Sequence, residues 1–453
     1  MADQSTNDTT ALYPSSIPGN RKRRGALVVI GGILIHLTFG STYTFGNMTP
    51  YITSYMRVNG VSDVSYAVST WIISAEATGE GLAMFLGGLL ERRFGPRVAT
   101  FIGCFIFSAG VSIAYFTINA SFGAILVTYG LMSGLGKGFG YAVPLACAMR
   151  WFPDRKGLVS GLVVGGIGGG AFIFDQIQTA YVNPLNKKPE LQYKGESDRY
   201  FNQKDILSRV PICFLMLGGL YACLQIIGVI MMTNPPGYTY YEEEISVKES
   251  VDKLEGVVSI NRELSKGDHR ETVQREFKPS AMLKTWAFYN LWLMLLSIEQ
   301  AIVFVSSLWK AYGQTFIHDD RFLAYVGAFS SVGNAAGRVL WGYIGDKTSF
   351  KVAQLSVCTS LAVFILTLVF TPFGGKPFFF IWVFLIFLSF SGTFSLLPAE
   401  TARAFGSKYY TINYGLMCSA DVKTFVSTVW QQDKGFFWSG RLPHEFILAA
   451  VLH

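Results

Sequence analysis

The sequence predicts an all-α polytopic membrane protein. About half of its 453 residues are apolar and only 15% are charged, whereas soluble chains carry roughly 25% charged residues. The charges are bunched, and the apolar stretches between them run to about 18–25 residues, the length with which a helix crosses ~30 Å of hydrocarbon. Backbone groups in lipid must bond within their own segment, so each stretch is predicted to be a helix.

Ten spans follow from this pattern. They lie at 25–47, 65–89, 98–118, 121–149, 157–181, 210–232, 285–309, 322–344, 352–371 and 377–398. The predicted divisions are an N-terminal tail (1–24), an N-terminal bundle of six helices (25–232), a charged linker (233–284), a C-terminal bundle of four spans (285–404) and an atypical, non-spanning tail (405–453).

Basic residues are concentrated in alternate loops. With a cytosolic N-terminus, the short inner segments contain 14 Lys and Arg residues and the short outer loops contain 4. Basic loops stay on the cytosolic side, so the N-terminus and the linker are predicted to be cytosolic. The net charge of +7 has the same explanation, and nucleic acid is not expected as a partner.

Two inner loops resemble each other. Gly88-Leu-Leu-Glu-Arg-Arg-Phe-Gly-Pro-Arg97 follows the second span, and Gly342-Tyr-Ile-Gly-Asp-Lys347 follows the eighth. Each is a glycine at the inner end of a helix followed by a cluster of charges, at equivalent places in two halves of the chain. Internal repetition of this kind is typical of transporter folds, and the alternative is two ordinary basic loops.

These loops resemble the inner-loop motif Gly-x-x-x-Asp-Arg-x-Gly of the major facilitator superfamily. The second copy matches at Gly342, Asp346 and Lys347 and lacks the later glycine; in the first copy, alignment on Phe94-Gly95 puts Arg92 at the acidic position, with Glu91 one residue early. The resemblance implies a two-bundle helical fold of twelve spans, so the chain as given is expected to lack two. It also implies a gating role for Gly88, Arg92, Arg93, Gly95, Arg97, Gly342, Asp346 and Lys347.

Further stretches resemble one branch of that superfamily, the oxalate/formate antiporters and monocarboxylate porters. They are Tyr43-Thr-Phe-Gly46, Gly134-Leu-Gly-Lys-Gly-Phe-Gly-Tyr-Ala-Val-Pro144, Trp151-Phe-Pro-Asp-Arg-Lys-Gly157 and Gly337-Arg-Val-Leu-Trp-Gly342. The resemblance implies secondary active transport of a small organic anion, a monocarboxylate or dicarboxylate, by alternating access, with exchange and proton symport both open.

Three other functions stay open or are disfavoured at this point. A neutral-solute facilitator of the same superfamily and a truncated, non-transporting membrane protein are the alternatives. A membrane enzyme is disfavoured, because the sequence contains no His/Asp cluster, nucleophile elbow or cofactor loop. No cofactor and no metal are therefore expected.

Two basic residues lie deep within predicted spans. Arg338 precedes Asp346 by eight residues, which places it ~12 Å inside the inner surface, and Lys137 precedes Arg150 by 13, or ~20 Å. A charge at that depth costs ~2.5–3.5 kcal/mol or more, so it is paired or lines a cavity. The resemblance implies that Arg338, four residues before Gly342, is the family's anion-binding arginine; the alternative is an anchor for inner-loop charges.

Acidic residues also lie within spans. Glu76 and Glu80 share one face of the second span, and Glu299 lies in the middle of the seventh. Each is a candidate for proton coupling, because burial favours the uncharged form of a carboxyl group. Lys137 has two interpretations, a substrate contact and a structural partner of Glu76 or Glu80.

Two tyrosines complete the predicted substrate site. Tyr141 lies one turn from Lys137, and the resemblance implies that Tyr43 and Tyr141 wall the site, giving a substrate-binding set of Arg338, Tyr141, Tyr43 and Lys137. The expected partners are a small organic anion, protons and the lipid bilayer, with any ancillary protein undefined. The plasma membrane is favoured over an organelle.

Overall fold

The computed structural model describes residues 19–193, 199–238, 276–317 and 319–420. Within these ranges the chain is almost entirely helical, and one short hairpin is the sole sheet. The all-α membrane fold predicted from composition and span length is confirmed.

Sixteen α-helices can be numbered in chain order among the described residues. They are α1 (Gly19–Phe39), α2 (Phe45–Val58), α3 (Tyr66–Ser69), α4 (Trp71–Thr117), α5 (Phe122–Ile125), α6 (Ser133–Trp151), α7 (Lys156–Val182), α8 (Lys204–Leu207), α9 (Arg209–Met231), α10 (Pro279–Met282), α11 (Trp286–Gln314), α12 (Asp320–Lys347), α13 (Phe350–Thr367), α14 (Thr371–Phe390), α15 (Thr393–Ala404) and α16 (Tyr410–Met417). Short 3-10 or π segments at Gly40–Thr44, Leu126–Met132, Pro153–Arg155 and Leu368–Phe370 extend or join them. Strands β1 (Leu191–Gln192) and β2 (Arg199–Tyr200) pair antiparallel in the loop between α7 and α8.

Five helical stretches of the described residues are long and apolar enough to cross a membrane. They are Arg21–Val58, Trp71–Thr117, Pro153–Val182, Lys204–Met231 and Phe350–Ala404. The second and fifth contain 47 and 55 residues, although one crossing needs only ~20. Each includes a glycine with positive φ, +82° at Gly95 and +65° at Gly375, a conformation that glycine adopts without steric cost. Each therefore contains two long helical segments that are separated by a turn at that glycine.

The packing of α4 confirms this division. Gly87 in its first half lies against Phe139, and Gly103 in its second half lies against Gly136 and Gly140. Both halves thus reach the same level of α6, so the chain reverses at Gly95. With α5–α6, α11 and α12 added, the described residues contain ten long helical segments, which overlap the ten predicted spans.

A glycine stripe on α7 brings the two halves of the molecule together. A methyl group added at Gly157 would lie under 3.0 Å from Gly342, and one added at Gly161 would lie under 3.0 Å from the backbone of Arg338. Small residues at helix contacts allow this backbone approach in membranes. The stripe thereby sets the position of Arg338 relative to the N-terminal half.

The segment after residue 404 is partly regular, which the sequence did not predict. Tyr410–Met417 is helical, and at ~12 Å it is too short to span a bilayer. Ile412 and Gly415 on this helix pack against Gly88 and Phe85 of α4, so α16 forms a second contact between the halves. Residues 421–453 of the predicted tail and 239–275 of the predicted linker lie outside the described residues.

Close packing of α6 on α4 yields a first prediction. A methyl group at Gly134 would lie under 3.0 Å from the carbonyl oxygen of Glu76, whereas one at Gly169 would meet nothing within 4 Å. We expect Gly134→Ala to destabilise the protein by ~1–3 kcal/mol through overpacking against backbone. Gly169→Ala, the matched control, should leave the melting temperature unchanged or slightly raised.

Thermal unfolding of both variants in detergent micelles, followed by fluorescence-detected size exclusion, measures the difference. Equal melting temperatures for the two variants would contradict the assigned packing of α6 on α4.

Candidate functional site

Arg338 lies where α12 packs on α7, and its side chain is 1% exposed. Its Nε donates to Asn334 Oδ1 at 2.9 Å and its Nη1 donates to the carbonyl oxygen of Val164 at 3.0 Å. The Phe394 ring lies 4.9 Å from the guanidinium carbon. Nη2 makes no hydrogen bond within the described residues, so the terminal pair of nitrogens keeps donors available while the side chain is held in place.

Tyr43 faces the space between the two halves. It lies in the 3-10 segment Gly40–Thr44, which interrupts the first span, and its side chain is 60% exposed. The charges of Arg338, Lys137 and Glu299 all act on its hydroxyl group. Because these charges come from both halves, Tyr43 lies near the contact between the halves, in the region that we call the central space.

Tyr141 is buried and forms part of an aromatic stack. Its ring centroid is 4.9 Å from that of His36 and 6.4 Å from that of Tyr414 on α16, to which it is stacked. His36 Nδ1 donates to the carbonyl oxygen of Gly32 at 3.0 Å, and its Nε2 has no partner among the described residues. The sequence missed Tyr414 because its segment has no spanning pattern.

Lys137 is bound by two carboxylates. Its Nζ lies 3.2 Å from Glu76 Oε1 and 2.7 Å from Glu80 Oε2, and it donates to Thr42 Oγ1 at 3.4 Å. The side chains of Lys137 and Glu76 are each 7% exposed, so water would not solvate either charge if its partner were removed. The geometry therefore matches the structural interpretation of Lys137, and it engages both acidic residues rather than one.

Glu299 is the third carboxyl group of this region. It is half-buried on α11, and the charges that act on it are those of Glu80 and Arg338. No ion pair to Glu299 occurs in the part of the chain that the structure describes. Charges of both halves of the molecule therefore act on Glu299.

The inner ends of the two halves are joined through Asp346. Its Oδ1 accepts from the backbone N–H of Gly157 at 2.8 Å and its Oδ2 accepts from that of Leu158 at 2.7 Å. These are orphan donors in the first turn of α7, where the helix dipole favours a negative charge. Arg403 of α15 also binds Asp346 Oδ1. The second inner-loop copy thus bonds directly to the other half.

Glu91 has the same role in the first copy. Its carboxylate binds Arg150 of α6 and accepts a hydrogen bond from the Thr411 hydroxyl group in the first turn of α16. Arg92, which the alignment puts at the acidic position, lies over the ring of Tyr409, 4.2 Å from its centroid, and Glu91 one residue earlier makes the contact with α16. The glutamate side chain is one methylene longer than aspartate, so it reaches the partner helix from a position one residue earlier.

The remaining predicted gating residues surround these two carboxylates. Gly88 and Gly342 are points of close backbone approach between the halves, and Gly95 turns the chain. Arg97 Nε donates to the carbonyl oxygen of Met232 at 2.7 Å. Arg93 lies 5.6 Å from the Phe94 ring, and Lys347 lies 5.8 Å from the Tyr343 ring. None of Arg93, Arg97 and Lys347 bonds to the opposite half within the described residues.

The triad of Lys137, Glu76 and Glu80 yields a second prediction. Lys137→Ala should reduce the yield of folded protein, because breaking a buried pair leaves carboxylates uncompensated and costs ~3–5 kcal/mol. Lys137→Ala combined with Glu76→Gln and Glu80→Gln should recover that yield. Surface expression and monodispersity in detergent measure both effects, and a triple variant as poorly folded as Lys137→Ala would count against the triad.

Comparison with known proteins agrees with this architecture. The sequence profile of the Major Facilitator Superfamily matches residues 31–420. Apicoplast pyruvate carrier 1 of Toxoplasma gondii is 30% identical to the chain, over 89% of this chain and 82% of the carrier. The oxalate:formate antiporter of Oxalobacter formigenes is 22% identical, over 74% of this chain and 68% of the antiporter.

A solved structure shares the fold. The chain superposes on the proton:xylose symporter XylE with a TM-score of 0.63, covering 95% of this chain and 94% of that one at 13% identity. These matches involve transporters rather than enzymes, and they extend over both halves and both inner-loop motifs. The chain is therefore a multi-pass integral membrane transporter that belongs to the Major Facilitator Superfamily.

Proposed function

We propose that the protein is a secondary active transporter of small monocarboxylates that works by alternating access. The observation that carries this proposal is Arg338, a buried cation in the contact between the halves with no ion-pair partner among the described residues. Its Nε and one Nη1 hydrogen are already bound. The remaining Nη1 and Nη2 hydrogens lie at the end of the guanidinium group. They can donate two parallel hydrogen bonds to the two oxygens of a carboxylate.

The named relatives support a carboxylate as the substrate class. Pyruvate, oxalate and formate, which appear in the names of the related carriers, all carry a carboxylate group. The Phe394 ring beside Arg338 and the exposed ring of Tyr43 offer apolar faces for a short carbon chain. A pyruvate-sized acid meets both requirements.

A monocarboxylate is favoured over a dicarboxylate by the charges that surround Arg338. The second deep cation, Lys137, is already bound by Glu76 and Glu80. A second carboxylate on the substrate would therefore find no uncommitted cation among the described central residues, and Glu80 and Glu299 would repel it. Lys137 thus supports the site by neutralising charge rather than by binding the substrate.

The charges of the described central residues also support proton coupling. The central charges comprise two cations, Lys137 and Arg338, and three carboxyl groups, Glu76, Glu80 and Glu299. A bound anion would leave an excess of two negative charges in a region of low dielectric, where like charges repel strongly. Uptake of a proton with each anion relieves this excess, and Glu299, which has no ion-pair partner among the described residues, is the proposed acceptor.

The inner contacts supply a gate for alternating access. Asp346 and Glu91 each bind the first turn of a helix in the opposite half, so the described conformation is closed on the inner side. Separation of these two contacts would open the central space to the cytosol. Gly342 and Gly88 allow the halves to approach closely enough for both contacts to form.

The orientation and location remain proposals. The excess of basic residues in the inner loops supports a cytosolic N-terminus and a cytosolic linker at 233–284. Labelling of a tag at residue 250 by an impermeant reagent on intact cells would overturn that orientation. The preference for the plasma membrane has no support in the relatives, two of which are named for the apicoplast.

Arg338 provides the decisive substrate test. We expect Arg338→Lys to reduce uptake of labelled pyruvate by roughly tenfold or more, because the charge stays but the bidentate fork is lost. Arg338→Gln should abolish uptake. Both variants should reach the membrane at normal levels, whereas an arginine that only anchors inner-loop charges would lower expression when replaced.

Uptake into proteoliposomes and surface expression are measured together, with labelled oxalate and xylose as comparison solutes. Normal pyruvate uptake by Arg338→Gln would contradict the substrate role. Preferential uptake of xylose would favour a neutral-solute facilitator, and no uptake of any solute would favour a non-transporting protein.

Proton coupling is tested by imposing a pH gradient on the same proteoliposomes. An acidic exterior should accelerate pyruvate uptake several-fold over symmetric pH, because protons entering with the anion move down their gradient. Glu299→Gln should remove this acceleration while leaving exchange of internal for external pyruvate. Uptake that requires pyruvate inside the proteoliposomes and does not change with the pH gradient would indicate an exchanger.

A further inference from the structure

The two described ends of the linker both lie on the inner gate. At its start, residues 232–238 cross the inner end of α6. Trp151 Nε1 donates to the carbonyl oxygen of Thr233 at 2.7 Å, and Arg150 Nη1 donates to Asn234 Oδ1 at 3.0 Å. The Tyr238 ring lies 4.4 Å from the guanidinium carbon of Arg150. The start of the linker thus rests on the arginine that binds Glu91.

Tyr238 meets this arginine as a neutral ring. Burial raises the pKa of Tyr238 to about 12, so the phenol stays protonated at physiological pH. A neutral ring face attracts a guanidinium through its quadrupole. This contact holds the start of the linker on the N-terminal half.

At its other end the linker is bonded to the turn that precedes α16. Glu276 accepts hydrogen bonds from the backbone N–H groups of Ser407 at 3.1 Å and Lys408 at 2.9 Å. Phe277 N–H donates to the carbonyl oxygen of Phe405 at 3.0 Å. Three residues after Lys408 comes Thr411, whose hydroxyl group binds Glu91.

A further bond reaches α16 itself. Asn413 Nδ2 donates to the carbonyl oxygen of Phe277 at 3.1 Å. Residues 276–277 therefore bind both the loop before α16 and the N-terminal part of α16. The turn depends on Gly406, whose φ is +86° and beside which the Glu276 carboxylate is packed. The direction in which α16 leaves the turn is therefore set by the linker end as well as by α4.

We propose that the linker ends are built into the inner gate, and that Glu276 is a positioning residue that holds the gate closed. Glu276 fixes the turn at 405–409, the turn presents Thr411 to Glu91, and Glu91 in turn binds Arg150, on which the other linker end rests. Loss of the Glu276 carboxylate loosens α16 and shifts the protein toward the state that is open to the cytosol. The proposal rests on alternating access but not on the identity of the solute.

A native cysteine reports the opening of this gate. Cys418 follows α16 and is 4% exposed, and it belongs to the same buried cluster as Tyr141 of the N-terminal half. Separation of α16 from that half would uncover it. Cys104, which is 3% exposed in the core of the N-terminal half, should stay protected and serves as the internal folding control.

The experiment treats the full chain in lipid nanodiscs, without substrate, with a water-soluble maleimide and quantifies the labelled Cys418 and Cys104 peptides by mass spectrometry. Glu276→Gln should speed labelling of Cys418 by roughly three- to tenfold. The glutamine amide has one acceptor oxygen and no charge, so it cannot replace both hydrogen bonds of the carboxylate. Glu276→Asp should fall between this variant and the unmodified chain. Asp154→Asn, which removes an exposed inner-face carboxylate, should label as the unmodified chain does.

Two results would overturn the proposal. One is an unchanged Cys418 rate in Glu276→Gln, and the other is an equal rise at Cys104, which would indicate general loosening of the fold. Because no solute is present, the outcome stays readable even when the monocarboxylate proposal fails in the uptake assays.

Discussion

The cost of placing charge in a low-dielectric interior governs this molecule. Every deep ionisable group has to be paired, hydrogen-bonded or turned toward the central space. Lys137 meets this requirement with two carboxylates from a neighbouring helix. Arg338 meets it with hydrogen bonds from two of its nitrogens to an amide and a backbone carbonyl group, which hold the side chain without neutralising it. That difference leaves Lys137 paired with carboxylates and Arg338 without an ion-pair partner among the described residues.

The inner contacts between the halves depend on the same electrostatics at helix ends. The first N–H groups of α7 have no partner within their own helix, and Asp346 from the opposite half satisfies two of them. Glu91 makes the corresponding contact with Thr411 at the start of α16. The Arg403–Asp346 and Arg150–Glu91 pairs compensate the charge of the two acids. Such contacts are strong when both halves meet and are replaced by water when they part, so they suit a reversible gate.

The linker connects these electrostatic contacts with the rest of the inner face. Its start lies on Arg150 and its end on the turn before Thr411, so both partners of Glu91 are also held by linker residues. A charged segment that separates two bundles in sequence is thus, at its described ends, part of the contact between them. This arrangement is the structural basis for the proposed role of the linker in the closed state.

The sequence alone determined the class of fold and the approximate positions of the described helical segments, because span length and loop charge follow from the physics of the bilayer. It also identified the deep ionisable groups as candidate site residues. Arg338 stood out because a membrane makes its position costly, and Asp346 stood out because it belongs to a repeated inner-loop motif. Tertiary structure decided the rest. Only folding could show that Lys137 meets both Glu76 and Glu80, since a helix face does not specify its neighbour. The acid of the first motif was identified as Glu91 by its bond to α16, a partner 320 residues away. The role of Glu276 likewise depends on a turn that lies far along the chain, and no local pattern encodes such a distance.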